Sequence, residues 1–401
     1  MMTELPTYHT RGVSALSDIL KLAETPGVNL PVAKNVERFL FEQYLEKGGD
    51  WKIKAYYALR PLIPRRVQLM LRRKFKEKQA VRTFPSWPIE PTIAHTVREV
   101  LSSAARSETN GGVHRISQWP QGKRFAFVIT HDVEQEEGLR ISPTLARIEQ
   151  RYGFVSSFNI VPERYPIDWD VVNELRELGS EIGVHGLKHD GKLFISRKVF
   201  QNRLVKIHEY ARKWGAVGFR SPATLRNVEW MPELQFEYDT TFFDTDPYEP
   251  QPGGCCTIWP FFIGDLLELP MTMPQDHTLF EILGHKDIKV WIEKSDWIAE
   301  QGGMVLINVH PDYMDSDERL GLYEEFLRYM KQKQGMWHAL PRDVARWWKD
   351  RTKSTLVRKN DTFVIEGPAA GVAAVLKTRV DHGMLVDTIA SRETTPLSQI
   401  T

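Results

Sequence analysis

The stretch "FAFVITHDVE", residues 125–134, is an apolar run of strand length that ends in ionisable side chains. A short, continuous apolar run of this kind is consistent with a strand buried on both faces. The segment "PTLARIEQRYG", residues 143–153, follows with helical spacing, and "FVSSFNIV", residues 154–161, is again strand-like. A strand, a helix and a second strand in this order predict a parallel sheet with helices packed outside it.

The alternation of strand and helix continues to about residue 350. In "DWDVVNELRELG", residues 168–179, we expect Asp168 to cap a helix and Gly179 to end it. Further strands are expected at "EIGVH", "AVGFR", "LLELP" and "MVLINVH", which begin at residues 181, 216, 266 and 304. Such a series fits a closed or distorted (β/α) barrel better than an open four-stranded sheet. No glycine-rich phosphate-binding motif follows any of these strands, which weighs against nucleotide binding.

Two further segments flank this α/β region. We expect residues 1–118 to form a mostly helical and irregular extension, and residues 119–352 to form the barrel. From residue 353 onward the pattern is that of β-hairpins: "TLVRKNDTFVIEG" has Asn-Asp between alternating segments, and "AAVLKTRVDHGMLVDTI" has His-Gly. The sequence therefore predicts a small C-terminal β region over residues 353–401.

The composition of the 401 residues, with 42% hydrophobic and 26% charged side chains, is typical of a soluble globular protein. The net charge of +1 gives no reason to expect a nucleic acid partner. Cys255 and Cys256 are adjacent, and because a disulfide between neighbours is strained, we expect reduced thiols in a cytoplasmic protein. The first residues show no secretion signal, which agrees with that expectation.

A basic segment, residues 60–78, suggests contact with a membrane. Its sequence "RPLIPRRVQLMLRRKFKEK" places Val67, Met70, Leu71 and Phe75 at helical spacing among Lys and Arg side chains. Such a helix could lie on the inner, anionic face of a membrane and make the protein a peripheral one. The alternative is a helix whose charged face is simply solvated.

Four predicted strands end in side chains that could bind a metal or transfer protons. In chain order these residues are Asp132 and Glu134, His185 and His189, Arg220, and His310. In parallel (β/α) folds the reactive groups gather at the carboxyl ends of the strands, so we expect these side chains to meet at one edge. Each one alone has a structural alternative, as a helix cap, a core residue or a surface pair. Four such strand ends in one chain are not expected if packing is their only role.

Two histidines and one carboxylate are a common ligand set for a catalytic metal, because they leave positions open for water. His185 and His189 would supply the imidazoles, and Asp132 or Glu134 the oxygen. The other carboxylate could act as a general base, held in place by Arg220. His310 could then protonate a leaving group. This set predicts hydrolysis of an amide or ester with a divalent metal, most simply Zn²⁺, with Co, Ni or Fe as alternatives.

These motifs and their order resemble those of the polysaccharide deacetylases, the NodB-like carbohydrate esterase family 4. The family motif T-F-D-D-G corresponds to "THDVE", residues 130–134, and H-[ST]-x-x-H to "HGLKH", residues 185–189. The motif R-x-P corresponds to "RSP", residues 220–222, and an apolar strand ending in His to "VLINVH", residues 305–310. The resemblance covers residues 125–348, over half of the chain. It implies a distorted (β/α) barrel and metal-dependent N-deacetylation of a sugar.

The resemblance also implies a role for each motif residue. The family's base, its metal histidines, its base-orienting arginine and its general acid correspond to Asp132, His185, His189, Arg220 and His310.

There are two departures from the family motifs. The family's metal-binding second Asp aligns with Val133, which cannot bind a metal, so we expect Glu134 to be the ligand instead. Gly186 stands where the family has Ser or Thr, which removes a local hydrogen bond but no metal ligand.

A long irregular stretch, residues 239–261, is expected to form a loop at the rim of the site, facing substrate. The alternative is a surface excursion. The candidate substrate contacts are Pro222, Asp246 and Trp259, where Trp259 would stack on a sugar ring unless it is buried. Asp276 and His277, further along, could reach the site or simply close a turn.

The sequence as a whole predicts a cytoplasmic, metal-dependent enzyme that removes an N-acetyl group from a sugar in a glycan or its precursor. Work during the assembly of a surface polysaccharide would fit the missing secretion signal. Two alternatives remain open: a hydrolase of a non-sugar amide on the same barrel, and a glycan-binding protein without turnover. The second alternative is favoured by Val133, which stands where the family has its metal-binding Asp.

Overall fold

A computed structural model describes residues 15–23, 31–45, 76, 79, 83–108 and 111–392. The basic segment 60–78 lies, apart from Lys76, outside the described residues, so its contact with a membrane stays a prediction. Among the helices that are described, none combines the length and apolar character needed to cross a membrane.

The N-terminal extension contributes three described helices and one strand. The helices are α1 (Ala15–Leu20), α2 (Pro31–Leu40) and α3 (Thr92–Ser107), and the strand is β1 (Val113–Ile116). Helix α3 packs on the C-terminal sheet through one apolar face, which includes Ile93, Val97 and Leu101. The described part of the extension is thus mostly helical and irregular, as expected, but it also supplies a strand that the sequence did not reveal.

The central sheet has nine strands in the described part of the chain. They are β2 (Phe125–Val133), β3 (Ser157–Ile160), β4 (Glu181–His185), β5 (Gly218–Arg220), β6 (Tyr238–Asp239), β7 (Phe261–Ile263), β8 (Leu266–Glu268), β9 (Met304–Val309) and β10 (Met336–His338). The hydrogen-bonded order is β10-β2-β3-β4-β5-β6-β8-β7, and β9 also pairs with β2, along residues 126–131. All neighbours are parallel except β7 and β8.

The sheet curls until its two ends nearly meet. Between β8 and β9 the gap is bridged by the segment after β8, where the Met273 amide donates to the Leu306 carbonyl at 3.1 Å. The Leu306 amide in turn donates to Thr272 Oγ1 at 2.9 Å. The expected distorted (β/α) barrel is therefore confirmed.

Helices cover the outside of the barrel. They are α4 (Glu136–Arg151), α5 (Trp169–Glu177), α6 (Arg197–Trp214), α7 (Lys289–Gln301), α8 (Asp317–Lys331) and α9 (Pro341–Lys353). The expected start of α5 is confirmed, because Asp168 accepts hydrogen bonds from the amides of Asp170 and Val171. Short helical turns lie at Pro120–Gly122, Pro222–Thr224, Met231–Leu234 and Pro311–Tyr313, and a π-helical segment at His277–Leu283.

The side chains of β2 alternate between the helices and the barrel interior. His131 faces the helices, where its ring stacks on Phe158 and its Nε2 lies 2.6 Å from Glu149 Oε1. Thr130 faces inward and is paired in register with Asn308 of β9. Its Oγ1 donates to Asn308 Oδ1 at 3.1 Å. The interior of the barrel is therefore polar beneath the carboxyl ends of the strands.

The C-terminal region consists of two hairpins, as expected. Strands β11 (Thr355–Lys359) and β12 (Thr362–Glu366) flank Asn360, and β13 (Ala374–Asp381) and β14 (Met384–Arg392) flank the left-handed pair His382-Gly383. Strand β1 of the extension pairs with β13 in antiparallel fashion. One cluster of buried side chains includes Leu16, Phe127 and Leu356, so it crosses both predicted boundaries, and the division at residues 118 and 352 stays a prediction.

The extension also holds the long stretch 239–261 against the barrel. Tyr44 donates its hydroxyl proton to the Gly254 carbonyl at 2.6 Å, and Thr245 donates to the Ser86 carbonyl at 2.8 Å. Glu42 forms a buried ion pair with Arg226. The alternative of a surface excursion is therefore wrong for most of this stretch, since the extension covers it and its side chains are largely buried. Its contact with substrate stays a prediction.

Candidate metal centre

The first motif places two carboxylates on the same side of β2. Residues two apart in a strand point to the same face, so Asp132 and Glu134 both face the cleft at the carboxyl end of the barrel. Val133 between them is fully buried, and its carbonyl accepts a hydrogen bond from Tyr165 Oη at 2.7 Å. The side chain aligned with the family's second Asp thus points into the core, and Glu134 occupies the cleft.

Three predicted ligands converge in this cleft. One ligand atom each from Glu134, His185 and His189 all lie within 4.8 Å of one another. His185 ends β4, and its Nδ1 donates to the Arg220 carbonyl at 3.1 Å, which leaves the lone pair of Nε2 facing the cleft. Burial lowers the pKa of His185 to about 4, so the imidazole is neutral at neutral pH, as a metal ligand must be.

Three ring nitrogens in this cleft lack hydrogen-bond partners among the described residues. This holds for His185 Nε2 and for both nitrogens of His189, although all three atoms are buried. His189 Nε2 lies 2.9 Å from Glu134 Oε1, but the two groups are not aligned as in a hydrogen bond. Buried polar atoms are normally satisfied, so unsatisfied ring nitrogens this close to a carboxylate oxygen fit a divalent cation.

The backbone between the two histidines requires glycine. Gly186 has φ of +62°, and a Cβ atom at this position would lie 2.5 Å from the Pro222 ring. A Ser or Thr would meet that ring, which explains the departure from the family motif. His189 itself has φ of 52°, a conformation that is costly for a side chain with a Cβ atom and is common at functional sites.

Asp132 is held by three donors. Its Oδ1 accepts from Arg220 Nη1 at 2.9 Å and from Asn159 Nδ2 at 3.1 Å, and its Oδ2 accepts from Asn308 Nδ2 at 3.0 Å. Burial would raise the pKa of Asp132, but Arg220, with His185, His310 and Asn159, holds it well below its usual value. The carboxylate is therefore ionised and fixed, with Oδ2 3.9 Å from His185 Nε2.

Glu134 is also ionised. Burial would raise its pKa, but His189 above all, and then His310 and His185, hold it well below the usual value. Its main-chain amide donates to Asp312 Oδ2 at 2.8 Å, which fixes the end of β2.

Arg220 is fully buried and fixed on every side. Its Nε donates to the carbonyl and to Oγ1 of Thr240, each at 2.9 Å, and its Nη2 donates to Thr130 Oγ1 at 3.0 Å. The guanidinium can therefore orient Asp132 without moving.

His310 directly follows β9 and faces the cluster of Glu134, His185 and His189. Its Nδ1 lies 2.7 Å from Asp276 Oδ1, and its main-chain amide donates to Asp276 Oδ2 at 2.9 Å. Burial would lower the pKa of His310, but Asp276, with Glu134 and Asp132, raises it to about 10. Its Nε2 lies 4.0 Å from both Asp132 Oδ2 and Glu134 Oε1, so a charged imidazole faces the same cleft.

Several site residues were not assigned from the sequence. The sequence allows Asp276 to reach the site or to close a turn, and in the structure its carboxylate holds His310. Asn159 and Gln275 carried no recognisable signal. Asn308 did carry one, because it is a polar residue in the apolar run "LINVH", two residues before His310 and on the same face.

The structure corrects the predicted contact between Trp259 and substrate. Only 1% of it is exposed, and its indole nitrogen donates to the Gly302 carbonyl at 2.9 Å. Gly302 precedes β9, whereas His310 follows that strand, so Trp259 lies at the opposite end of the barrel. The tryptophan packs in the core and presents no face to a sugar.

The other two predicted contacts lie nearer the cleft. Pro222 packs over Gly186, which lies between His185 and His189 in the sequence. Asp246 is buried and accepts a hydrogen bond from the Tyr248 amide at 2.7 Å. Binding of substrate by either residue stays a prediction.

No protein-family model matches the chain, and no curated protein does. Similar solved structures include a probable polysaccharide deacetylase from Pseudomonas aeruginosa PAO1, with 18% identity and a TM-score of 0.46, over 58% of this chain and 93% of that one. Puue Allantoinase has 16% identity and a TM-score of 0.45, over 58% and 92% of the two chains. A polysaccharide deacetylase candidate from Bordetella bronchiseptica, involved in O-antigen biosynthesis, has 18% identity and a TM-score of 0.35, over 57% and 86%. Polysaccharide deacetylases are thus among the solved structures that this chain resembles, as the motifs predicted.

Proposed function

We propose that this protein is a metal-dependent hydrolase that removes an N-acetyl group from a sugar in a glycan or glycan precursor, during surface polysaccharide biosynthesis. The observation that carries the proposal is the convergence of three functions in one cleft. A ligand cluster with unsatisfied ring nitrogens, a fixed carboxylate and a histidine paired with Asp276 all face the same space. Asp132 Oδ2 and His310 Nε2 are 4.0 Å apart, so both could reach one reacting group.

The ligand cluster suits a divalent cation, and Zn²⁺ is the default for two imidazoles and one carboxylate. Glu134, His185 and His189 would hold the ion. Bound there, it would polarise the acetyl carbonyl and make water a stronger nucleophile at neutral pH.

Asp132 would act as the general base. Its Oδ1 is taken by Arg220 and Asn159, which leaves Oδ2 facing the cleft to accept a proton from the attacking water. Arg220 would keep the carboxylate ionised between turnovers, and its buried hydrogen bonds would prevent rotation of the acid.

His310 would act as the general acid. Asp276 holds Nδ1, so Nε2 would carry the proton that is passed to the nitrogen of the leaving amine. Water and amide would thereby become acetate and a free amino sugar. The proton lost by the water would be held on Asp132, and the proton gained by the amine would come from His310.

The preference for a sugar rests on the four motifs and their order. Acetate release from an N-acetylglucosamine oligomer, compared with release from a non-sugar acetamide, tests it. We expect the sugar to be the better substrate and Asp132→Asn to abolish release from it. Release from the non-sugar amide alone would support the other hydrolase. Oligomer binding that Asp132→Asn leaves unchanged, with no acetate from either form, would identify a glycan-binding protein.

A further inference from the structure

The barrel interior contains a chain of amide side chains that leads away from the base. Asn308 Nδ2 donates to Asp132 Oδ2 at 3.0 Å and also to Gln275 Oε1 at 2.9 Å. Gln275 Nε2 in turn donates to Glu249 Oε1 at 3.3 Å. Asn308, Gln275 and Glu249 are all buried, so water does not compete for these contacts. The chain connects the base to the stretch 239–261.

The direction of this hydrogen-bond chain is set at the Arg220 end. Arg220 can only donate, and it donates to Asn308 Oδ1, which also accepts from Thr130. Asn308 must therefore turn its NH₂ group toward Asp132 and Gln275. Gln275 must then accept from Asn308 through its oxygen and donate its own NH₂ group to Glu249. Glu249 Oε1 accepts from that NH₂ group, which completes the order.

From this geometry we propose that Asn308 and Gln275 are positioning residues that fix Asp132, with Glu249 as their anchor. The inference rests on the proposed function, since it assigns Asp132 as the base. Asn308 takes one lone pair of Oδ2, the oxygen that faces the cleft, and leaves the other directed at the attacking water. Because the far end is fixed on stretch 239–261, the position of that stretch sets the position of the base.

An isosteric change at Asn308 tests the first contact. Asn308→Asp puts acceptors against both Asp132 Oδ2 and Gln275 Oε1, so we expect kcat to fall about 100-fold while KM and bound metal stay nearly constant. Asn173→Asp, on the exposed face of α5, is the matched control and should leave kcat unchanged. A normal kcat in Asn308→Asp would overturn the proposal.

A reciprocal exchange tests the direction of the chain. Gln275→Glu would place two carboxylates together and should lower kcat, whereas Glu249→Gln alone still offers an oxygen to Gln275 and should have a small effect. The double variant Gln275→Glu/Glu249→Gln restores the order, because the new glutamate accepts from Asn308 and from the new glutamine. We therefore expect the double variant to recover most of kcat. A kcat of the double variant no higher than that of Gln275→Glu alone would contradict the proposed hydrogen-bond chain.

The same series separates this inference from the proposed function. If the wild type releases no acetate, the proposed function fails, and the melting temperatures of the exchange variants still report on the hydrogen-bond chain. Loss of melting temperature in Gln275→Glu and its recovery in the double variant would support the chain. Equal melting temperatures for these two variants would refute it. If the wild type is active and kcat is the same in all of these variants, the positioning role is wrong and the proposed function stands.

Discussion

Glu134 Oε1 and His189 Nε2 lie 2.9 Å apart without the alignment of a hydrogen bond. When the proton of the imidazole is on Nδ1, both atoms present lone pairs, and a cation between them would make the contact favourable. His185 Nε2 faces the same point, and its other nitrogen is fixed on the Arg220 carbonyl. These three residues thus form a cluster that could hold a cation.

The two carboxylates of the first motif should have separable roles. We expect Glu134→Gln to lower metal affinity at least about 10-fold, because it removes a charged ligand. Asp132→Asn should keep the metal and lower the rate of acetate release by about 10²- to 10⁴-fold, as expected for a lost general base. Metal titration and acetate assays on both variants check this. Loss of metal in Asp132→Asn with retention in Glu134→Gln would reverse the assignment.

Asp276 should matter through His310. In Asp276→Asn the amide can no longer stabilise the charged imidazole, so we expect kcat to fall about 100-fold with the metal retained. Asp287 is an exposed aspartate, so Asp287→Asn is the control and should leave kcat unchanged. Steady-state kinetics with metal analysis measure both. Activity of Asp276→Asn close to that of the control would mean that His310 does not need its partner.

Gly186 can be tested against a glycine of nearly equal φ. Gly215 has φ of +66° with open space around its Cβ position, whereas Gly186 has φ of +62° and faces the Pro222 ring. Alanine at Gly215 should cost only the left-handed penalty, about 1–2 kcal/mol. Alanine at Gly186 should cost more and should also weaken metal binding, since the backbone between the histidines must shift. Denaturant unfolding and metal titration check this, and equal effects of the two variants would contradict the role of Pro222.

Glu181 should make stability depend on pH. It lies at the amino end of β4, where burial raises the pKa of its carboxyl to about 7, although the Arg342 amide and the Tyr238 hydroxyl oppose the shift. At pH values below the ordinary pKa of about 4.5, the protonated Glu181 side chain therefore stabilises the folded state. This stabilisation is lost as the pH rises from about 4.5 to about 7. Glu181→Gln should become more stable relative to wild type over that interval, by on the order of 3 kcal/mol. A difference in unfolding free energy that does not change with pH would be evidence against this.

The sequence was most informative about the barrel and its strand ends. Buried strands are marked by continuous apolar runs, and the parallel arrangement brings their carboxyl ends together, so the meeting of Asp132, His185 and His310 could be predicted. The shift from Val133 to Glu134 also follows from the two-residue period of a strand. Local patterns suffice here because strand order and strand direction determine the geometry.

Other features depended on contacts that no local pattern encodes. Asp276 lies in an irregular segment and reaches His310 only because that segment returns along β9. Trp259 sits among turn-forming residues, yet the N-terminal extension covers the stretch around it and its ring packs at the opposite end of the barrel. The pairing of β1 with β13 joins residues more than 250 positions apart in the sequence.

The most direct measurement of the central claim is elemental analysis of purified protein, with the wild type beside His185→Ala/His189→Ala. We predict about one divalent metal ion per wild-type chain and none in the double variant, since the change removes two of three ligands. A metal that stays bound in a folded double variant, or a wild type that takes up none when supplied with Zn²⁺, would contradict it.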